Sequence, residues 1–243
     1  MAGHSHWAGI KHKKGRADKV RSKLFSKLSR EITVAAKLGD KNPEMNPRLR
    51  SAIQLAKQSN MPKDNISRAL SKSELNKGTN YEQLKYEAFG PFNSALIIET
   101  LTDNRNRSAS SIRTILQKNG GRLGETGSAA HLFFSCGVIN VDKKGLDENY
   151  LLELTTSLQA KDFSVFDKSY EIITQKEDFY KIKKEIEKKK GFVTYSSLEW
   201  RANNMINLDQ NKSKSLIELL KKLDDLDDVQ NIYTNINLEG ISL

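Results

Sequence analysis

Charge divides this 243-residue chain at about residue 80 and limits what each part can become. Residues 1 to 80 hold 18 Lys and Arg against 6 Asp and Glu, whereas residues 81 to 243 hold 22 against 24. The whole formal excess of +10 therefore sits in the first third. Such segregation creates a local field that attracts and steers a polyanion, and nucleic acid is the expected partner. With 37% hydrophobic and 29% charged residues, the chain has the composition of a soluble globular protein, as one large domain or two to three small ones. No run approaches the roughly 18 apolar residues that span a bilayer, and Met1 to Trp7 lacks the apolar stretch of a signal peptide. A cytoplasmic protein with no membrane partner is expected. The single Cys136 has no CxxC partner, which argues against structural zinc and thioredoxin-like chemistry; within Leu132-Phe133-Phe134-Ser135-Cys136 it reads as a buried strand thiol.

The basic third reads as helical. From Asp18 to Leu38, apolar residues recur at Val20, Leu24, Phe25, Leu28, Ile32, Ala35 and Ala36, with Gly39 at the expected C-cap. At about 100° per residue, Lys19, Lys23, Lys27, Arg30 and Lys37 fall within an arc of about 80° opposite that stripe. A solvated face would mix Glu with Lys at i,i+4, so this one reads as a phosphate-tracking face. Asn46-Pro47 starts a second helix, with Leu49, Ala52, Ile53 and Ala56 inward and Arg48, Arg50, Gln54 and Gln58 as candidates for base edges. Met61-Pro62 starts a third, with Lys63 at its head and Ile66, Ala69 and Leu70 on its apolar face. A bundle this small has little core of its own, so its orientation depends on contacts with the rest of the chain or a ligand.

Ahead of the bundle lies an arm in which His4, His6, Trp7, Lys11, His12, Lys13, Lys14 and Arg16 interleave basic groups with one aromatic ring. That composition pairs with phosphates and stacks on a base, and Trp7 serves equally well as a plug in the core. Three histidines invite a metal reading, but neither Cys nor clustered carboxylate completes a site and the neighbouring lysines oppose a dication. No cofactor is expected.

Beyond residue 80 the period changes. Leu84 to Phe89 and Ala95 to Leu101 read as a hairpin around Gly90-Pro91-Phe92-Asn93-Ser94, followed by a helix from Asn106 to Lys118 and a strand from Ala129 to Phe134. At Thr102-Asp103-Asn104-Arg105-Asn106-Arg107, Asp103 or Asn104 can cap the helix. Arg105 and Arg107 stand at the positive end of its dipole, which suits a bound anion or a pairing with Glu87, Glu99 or Glu125. The loop Gly120 to Gly127 follows a helix and precedes a strand, the reverse of a phosphate-binding P-loop, and reads as a connector. Residues 137 to 200 read as βαββαβ, a ferredoxin-like split βαβ. The tail returns a helix over Ser213 to Leu226 and a strand over Val229 to Leu238, which need the strands of residues 81 to 136 to form a sheet. The aspartates at 224, 225, 227 and 228 read as a solvated turn, with a metal or a basic partner as alternatives. The expected fold is α+β and multidomain: residues 1–78 as basic arm and helical bundle, 79–136 with 201–243 as a discontinuous α/β domain, and 137–200 inserted in it.

Several segments occur together in family order: Gly3-His4-Ser5, Trp7, Ile10-Lys11-His12, Phe25-Ser26-Lys27-Leu28, Ala35-Ala36-Lys37-Leu38-Gly39, Asn46-Pro47-Arg48-Leu49-Arg50 and Asn60 to Ile66. Tyr86-Glu87, Leu101 to Arg107, Asn119-Gly120-Gly121 and Leu226-Asp227-Asp228-Val229-Gln230 continue the series. By these, the whole chain resembles the YebC/PmpR family of bacterial regulators, related to the mitochondrial translational activator of cytochrome c oxidase. The resemblance implies a helical N-terminal domain, two α/β domains and no catalysis. It implies two competing functions, a DNA-binding transcriptional regulator and a ribosome-associated translation factor that binds ribosomal RNA. Two departures stand out: Phe92-Asn93-Ser94 where glycines usually follow the proline, and His6 in place of a lysine.

Duplex readout presents Asn, Gln and Arg to base edges, whereas the face of residues 18 to 38 is mostly Lys and suits a phosphate backbone or structured RNA. Specific DNA binding through Arg48, Arg50, Gln54 and Gln58 remains the alternative. A nuclease needs clustered carboxylates or a placed His base, and His131 lies in an apolar stretch away from both.

Overall fold

Helix α1, Asp18–Leu38, organises the first part of the molecule. The computed structural model describes residues 18–75, 81–144, 147–189 and 192–238. Leu28, Ile32, Ala35 and Ala36 of α1 are buried against α2 (Pro47–Gln58) and α3 (Lys63–Leu75), through Leu49, Ala52 and Ala56 of the former and Ile66 and Ala69 of the latter. One side chain joins two helix ends. Asn46 Oδ1 accepts from the Leu49 N–H at 3.0 Å, capping α2, while its Nδ2 donates to the carbonyls of Ala35 at 2.8 Å and Asp40 at 2.7 Å. Gly39 is required by this approach, since a Cβ there would lie 2.7 Å from Asn46 Nδ2.

The remaining elements form two antiparallel sheets. In the first, β1 (Glu82–Phe89) and β2 (Ala95–Thr102) make a hairpin in register from Glu82↔Thr102 to Phe89↔Ala95. The short β3 (Arg122–Leu123) pairs with β1 and β8 (Val229–Thr234) pairs with β2, giving the order β3-β1-β2-β8. Helices α4 (Arg105–Lys118) and α7 (Gln210–Asp224) bury Ile112, Leu116, Leu216, Leu220 and Leu223 against Leu96, Ile98, Val229 and Ile232 of this sheet. The tail therefore adds its strand to the sheet begun by β1 and β2, well over 100 residues earlier. Where the chain leaves and returns, the Asn203 N–H donates to the Leu132 carbonyl at 2.9 Å.

Residues Phe134–Arg201 form a separate compact unit. It contains β4 (Phe133–Asp142), α5 (Glu148–Ser157), β5 (Asp162–Val165), β6 (Ser169–Thr174), α6 (Phe179–Lys188) and β7 (Val193–Ala202), with strand order β5-β6-β4-β7. Ile139, Val141, Leu151, Ile172, Phe179, Ile182 and Ile186 form its core. Burial pushes the Cys136 thiol up to about 12, so it is an inert strand residue.

One expectation needs correction. Ala129 to Phe134 is not a strand of the first sheet: Ala130–Leu132 is a 3-10 turn, His131 is exposed on it, and Phe133 opens β4 of the second sheet. The cause is a buried carboxylate. Glu87 accepts from the backbone N–H groups of Gly127 at 3.0 Å, Ala129 at 2.8 Å and Ala130 at 2.7 Å, and those bonds wind the segment into a turn. Its burial raises its pKa, but these donors and Lys85 outweigh that and bring it down from 4.5 to about 2. The hairpin forms as expected, and in its loop Phe92 and Asn93 stand at φ 61° and 59°, the left-handed region glycine favours.

Glu87→Gln is expected to lower stability by about 3 kcal/mol at neutral pH, read by chemical denaturation. Because the folded pKa lies below the ordinary one, the contribution is complete above about pH 4.5 and fades as pH falls toward 2. The substituted protein should lose that part of the acid dependence. Phe92→Gly should raise stability by about 0.5 kcal/mol, since relief of a left-handed side chain, about 1–2 kcal/mol, exceeds the added unfolded-state entropy. A loss above about 1 kcal/mol would show instead that the Phe92 ring packs more than its strain costs.

Candidate nucleic-acid interface

The polar face of α1 does not lie open along its length. Lys27 Nζ donates to Asp224 Oδ1 at 2.6 Å, with the two side chains only 15% and 6% exposed. One turn earlier Lys23 Nζ lies 2.5 Å from Asp225 Oδ1. Next along, Arg30 Nη1 donates to the Asp227 carbonyl, and reaches the Leu101 carbonyl and Asp228 Oδ1, each at 3.4 Å. Lys23, Lys27 and Arg30 of the expected phosphate-tracking face hold the aspartate turn of the same chain, about 200 residues away. Of that turn, Asp224 is buried and Asp228 half-buried, while Asp225 and Asp227 are exposed. Helical periodicity identified the face but carries no information about a partner so distant in sequence.

Asp228 also answers the question posed by Arg105 and Arg107. Its carboxylate accepts from Ser108 Oγ at 2.7 Å, Thr102 Oγ1 at 3.0 Å and Arg107 Nη2 at 3.0 Å. Asn104 caps α4 by accepting from the Arg107 N–H at 3.0 Å, and Arg107 also holds Asp103 at 2.7 Å. The anion at this helix start is thus internal, and it is none of the three glutamates expected. Glu87 serves the 127–130 turn, and Glu99 accepts from Asn231 at 3.0 Å and Tyr233 at 3.3 Å. Burial raises the pKa of Asp228, but Ser108, Arg107 and Thr102 bring it below the ordinary aspartate value. Arg105 itself is exposed, and its carbonyl accepts from the Tyr86 hydroxyl at 3.1 Å.

The base-reading candidates of α2 are engaged as well. Arg48 makes a two-pronged pair with Glu31, at 2.6 and 3.0 Å, and Arg50 donates to the carbonyls of Pro43 at 3.0 Å and Glu44 at 2.9 Å. Lys37 is half-buried in the last turn of α1, and Lys63 is exposed at the start of α3. His4, Trp7, Lys11, His12, Lys13, Lys14 and Arg16 lie outside the described residues, as does the side chain of Lys19.

Between α1 and α3 lies a cleft of about 620 Å³ lined by Arg21, Ser22, Phe25, Ser26, Ser29, Arg30, Thr33, Asn65, Lys72 and Tyr81. Arg21 and Lys72 are exposed, and the walls offer hydroxyls, an amide and two half-buried rings. These donors match a phosphodiester, with Phe25 or Tyr81 available to a base. Sequence reasoning passed over this set because it sought a run of like charge. A signal was present, since Ser22, Ser26, Ser29 and Thr33 recur at helical spacing along one stripe of α1. Among the described residues no group of three or more His, Cys, Asp or Glu could hold a metal ion, and no helix is long and apolar enough to cross a membrane.

A cation-rich helical bundle and two antiparallel sheets make the described residues a mixed α+β protein. A probable transcriptional regulatory protein of Pelagibacter ubique is 51% identical over 240 residues, covering 99% of this chain and 100% of the relative. Another of that description, from Natranaerobius thermophilus, is 45% identical over 244 residues, covering 98% and 97%. The crystal structure of a conserved hypothetical protein from Aquifex aeolicus superposes with a TM-score of 0.82 at 40% identity, covering 95% of this chain and 96% of that one. Residues 5–76 match the TACO1/YebC protein N-terminal domain and residues 81–236 the TACO1/YebC second and third domain. The chain belongs to the TACO1/YebC family, whose named relatives here are regulators of transcription by description.

Two double-mutant cycles to alanine, read by chemical denaturation, grade the ionic contacts of α1. The Lys27–Asp224 pair, nearly buried, is expected to show a coupling of about 1–3 kcal/mol. Lys23–Asp225, whose aspartate is 64% exposed, should show less than about 1 kcal/mol. Equal couplings would mean that burial does not set the strength of this contact.

Proposed function

We propose that this regulator acts without catalysis, by binding nucleic acid through its phosphodiester backbone. The helical bundle and its arm are the reader; the discontinuous α/β domain of residues 79–136 and 201–243, with the ferredoxin-like domain of residues 137–200 inserted in it, is the frame. The observation that carries this reading is the α1–α3 cleft, where Arg21, Arg30 and Lys72 converge with serine hydroxyls and two aromatic rings. The strongly basic arm extends the same chemistry. As its relatives' names suggest, DNA is the first target to consider, with control of transcription as the outcome.

One observation favours structured RNA, including ribosomal RNA, as a second reading. Arg48 and Arg50, the arginines best suited to read bases from α2, are held by Glu31 and by backbone carbonyls. A protein whose accessible cations contact phosphates gains affinity without sequence preference.

Fluorescence anisotropy with labelled duplex DNA and hairpin RNA of matched length tests both readings. Arg21→Glu with Lys72→Glu should weaken binding at least tenfold and reduce the salt dependence by about two phosphate contacts. Both residues are exposed, so thermal stability should change little. Undiminished affinity in the folded double variant would remove the cleft from the interface. A preference for the duplex of a particular sequence would favour transcription, and a preference for the hairpin would favour translation.

A further inference from the structure

We propose that the turn Asp224–Asp228 occupies a second nucleic-acid contact, as a resident stand-in for a phosphodiester backbone, and that a bound strand displaces it to reach Lys23, Lys27 and Arg30. The proposal rests on the nucleic-acid reading above and adds to it a masked site and the means of its unmasking.

Four carboxylates within five residues present a density of negative charge like that of consecutive phosphates. They meet α1 through its lysine arc, at Lys23–Asp225, Lys27–Asp224 and Arg30–Asp228. The bundle core described is built from α1 to α3, and that of the α/β domain from its sheet with α4 and α7. The contacts described between α1 and the turn are side chain to carboxylate or to carbonyl, the kind of contact a polyelectrolyte competes for. Exposed pairs of this kind contribute little each, so the turn is held by one strong contact and several weak ones.

The open cleft leads to the covered site. Ser26 and Arg30 line the α1–α3 cleft and also a cavity of about 150 Å³ bounded by Lys23, Lys27, Asp224, Asp225 and Asp227. A strand seated in the cleft therefore has its next phosphates beside the aspartates that compete with them. Repulsion loosens the turn as the strand advances, and counterion release favours the exchange most at low salt. Asp228 moves with the α/β domain, because Thr102 and Ser108 of that domain hold it.

The test compares the full chain with Asp225→Asn and with Asp224→Asn/Asp225→Asn, titrating matched RNA and DNA probes by anisotropy at several salt concentrations. Asp225→Asn alters an exposed carboxylate and so preserves the fold if the double variant does not. The double variant is expected to bind at least one probe about tenfold more tightly, with a salt slope steeper by about two contacts, and Asp225→Asn should show a smaller gain. Adding Lys23→Glu and Lys27→Glu should abolish the gain. A gain with one probe alone assigns the backbone as RNA or DNA. Affinity within twofold of the unmodified chain, in a folded variant, would overturn the masked site while leaving the cleft as the interface. Failure of the unmodified chain to bind either probe would overturn the nucleic-acid reading together with this one.

Discussion

The match between three cations of α1 and the aspartates that follow α7 is the contact on which the rest depends. Each side is unfavourable alone: Lys23, Lys27 and Arg30 repel one another along a helix face, and four aspartates in five residues repel more strongly. Brought together, the two arrays convert mutual repulsion into attraction at two side-chain distances of 2.5 and 2.6 Å. The bundle, with a core of its own too small to fix much beyond its three helices, gains a definite position beside the sheet. Salt and competing polyanions act directly on such a contact, unlike a hydrophobic interface of the same extent.

The same solution, a carboxylate surrounded by donors, recurs where the chain must hold an irregular segment. Glu87 gathers the N–H groups of the 127–130 turn, which is why this glycine-containing loop has a fixed form. Asp228 gathers two hydroxyls and a guanidinium at the start of α4, where helix polarity favours negative charge. In the separate unit, Arg201 is buried between Glu171 at 3.1 Å and Glu199 at 3.3 Å; its burial disfavours the charge, but the two carboxylates outweigh that and raise its pKa. Charge is thus used within the fold, and surface counts alone do not separate that use from attraction toward a partner.

Periodicity made most of the elements legible. The bounds Asp18–Leu38 of α1 could be read because Leu24, Leu28, Ile32 and Ala35 keep a strict helical spacing, and Gly39 marked its end. Gly39 also makes room for Asn46, a reason for glycine that helical spacing does not contain. The 129–134 segment was misread as a strand because its apolar residues obey strand rules locally, while the acceptor that bends it, Glu87, lies some 40 residues earlier. Long-range partners explain the errors at the site too. Nothing near Lys27 in sequence announces Asp224, and the cleft residues Arg21, Lys72 and Tyr81 come from three separate segments.

Segregation of charge along a sequence is therefore a different quantity from segregation of charge in space. Residues 18–75 carry 13 Lys and Arg against 6 Asp and Glu, yet Lys23, Lys27 and Arg30 meet carboxylates brought by the acidic later part of the chain, and Arg48 meets Glu31. A paired ion acts at a distance as a dipole, whose field falls off faster than that of a single charge and is screened within about 8 Å at physiological salt. The long-range attraction for a polyanion is then weighted toward cations with no carboxylate partner among the described residues, Arg21 and Lys72 of the cleft among them. On the proposed reading the lysine arc contributes little to the approach of a strand and much once the strand is close enough to compete for it. Cations of two helices, Arg21 of α1 and Lys72 of α3, would then capture a backbone before the arc responds to it.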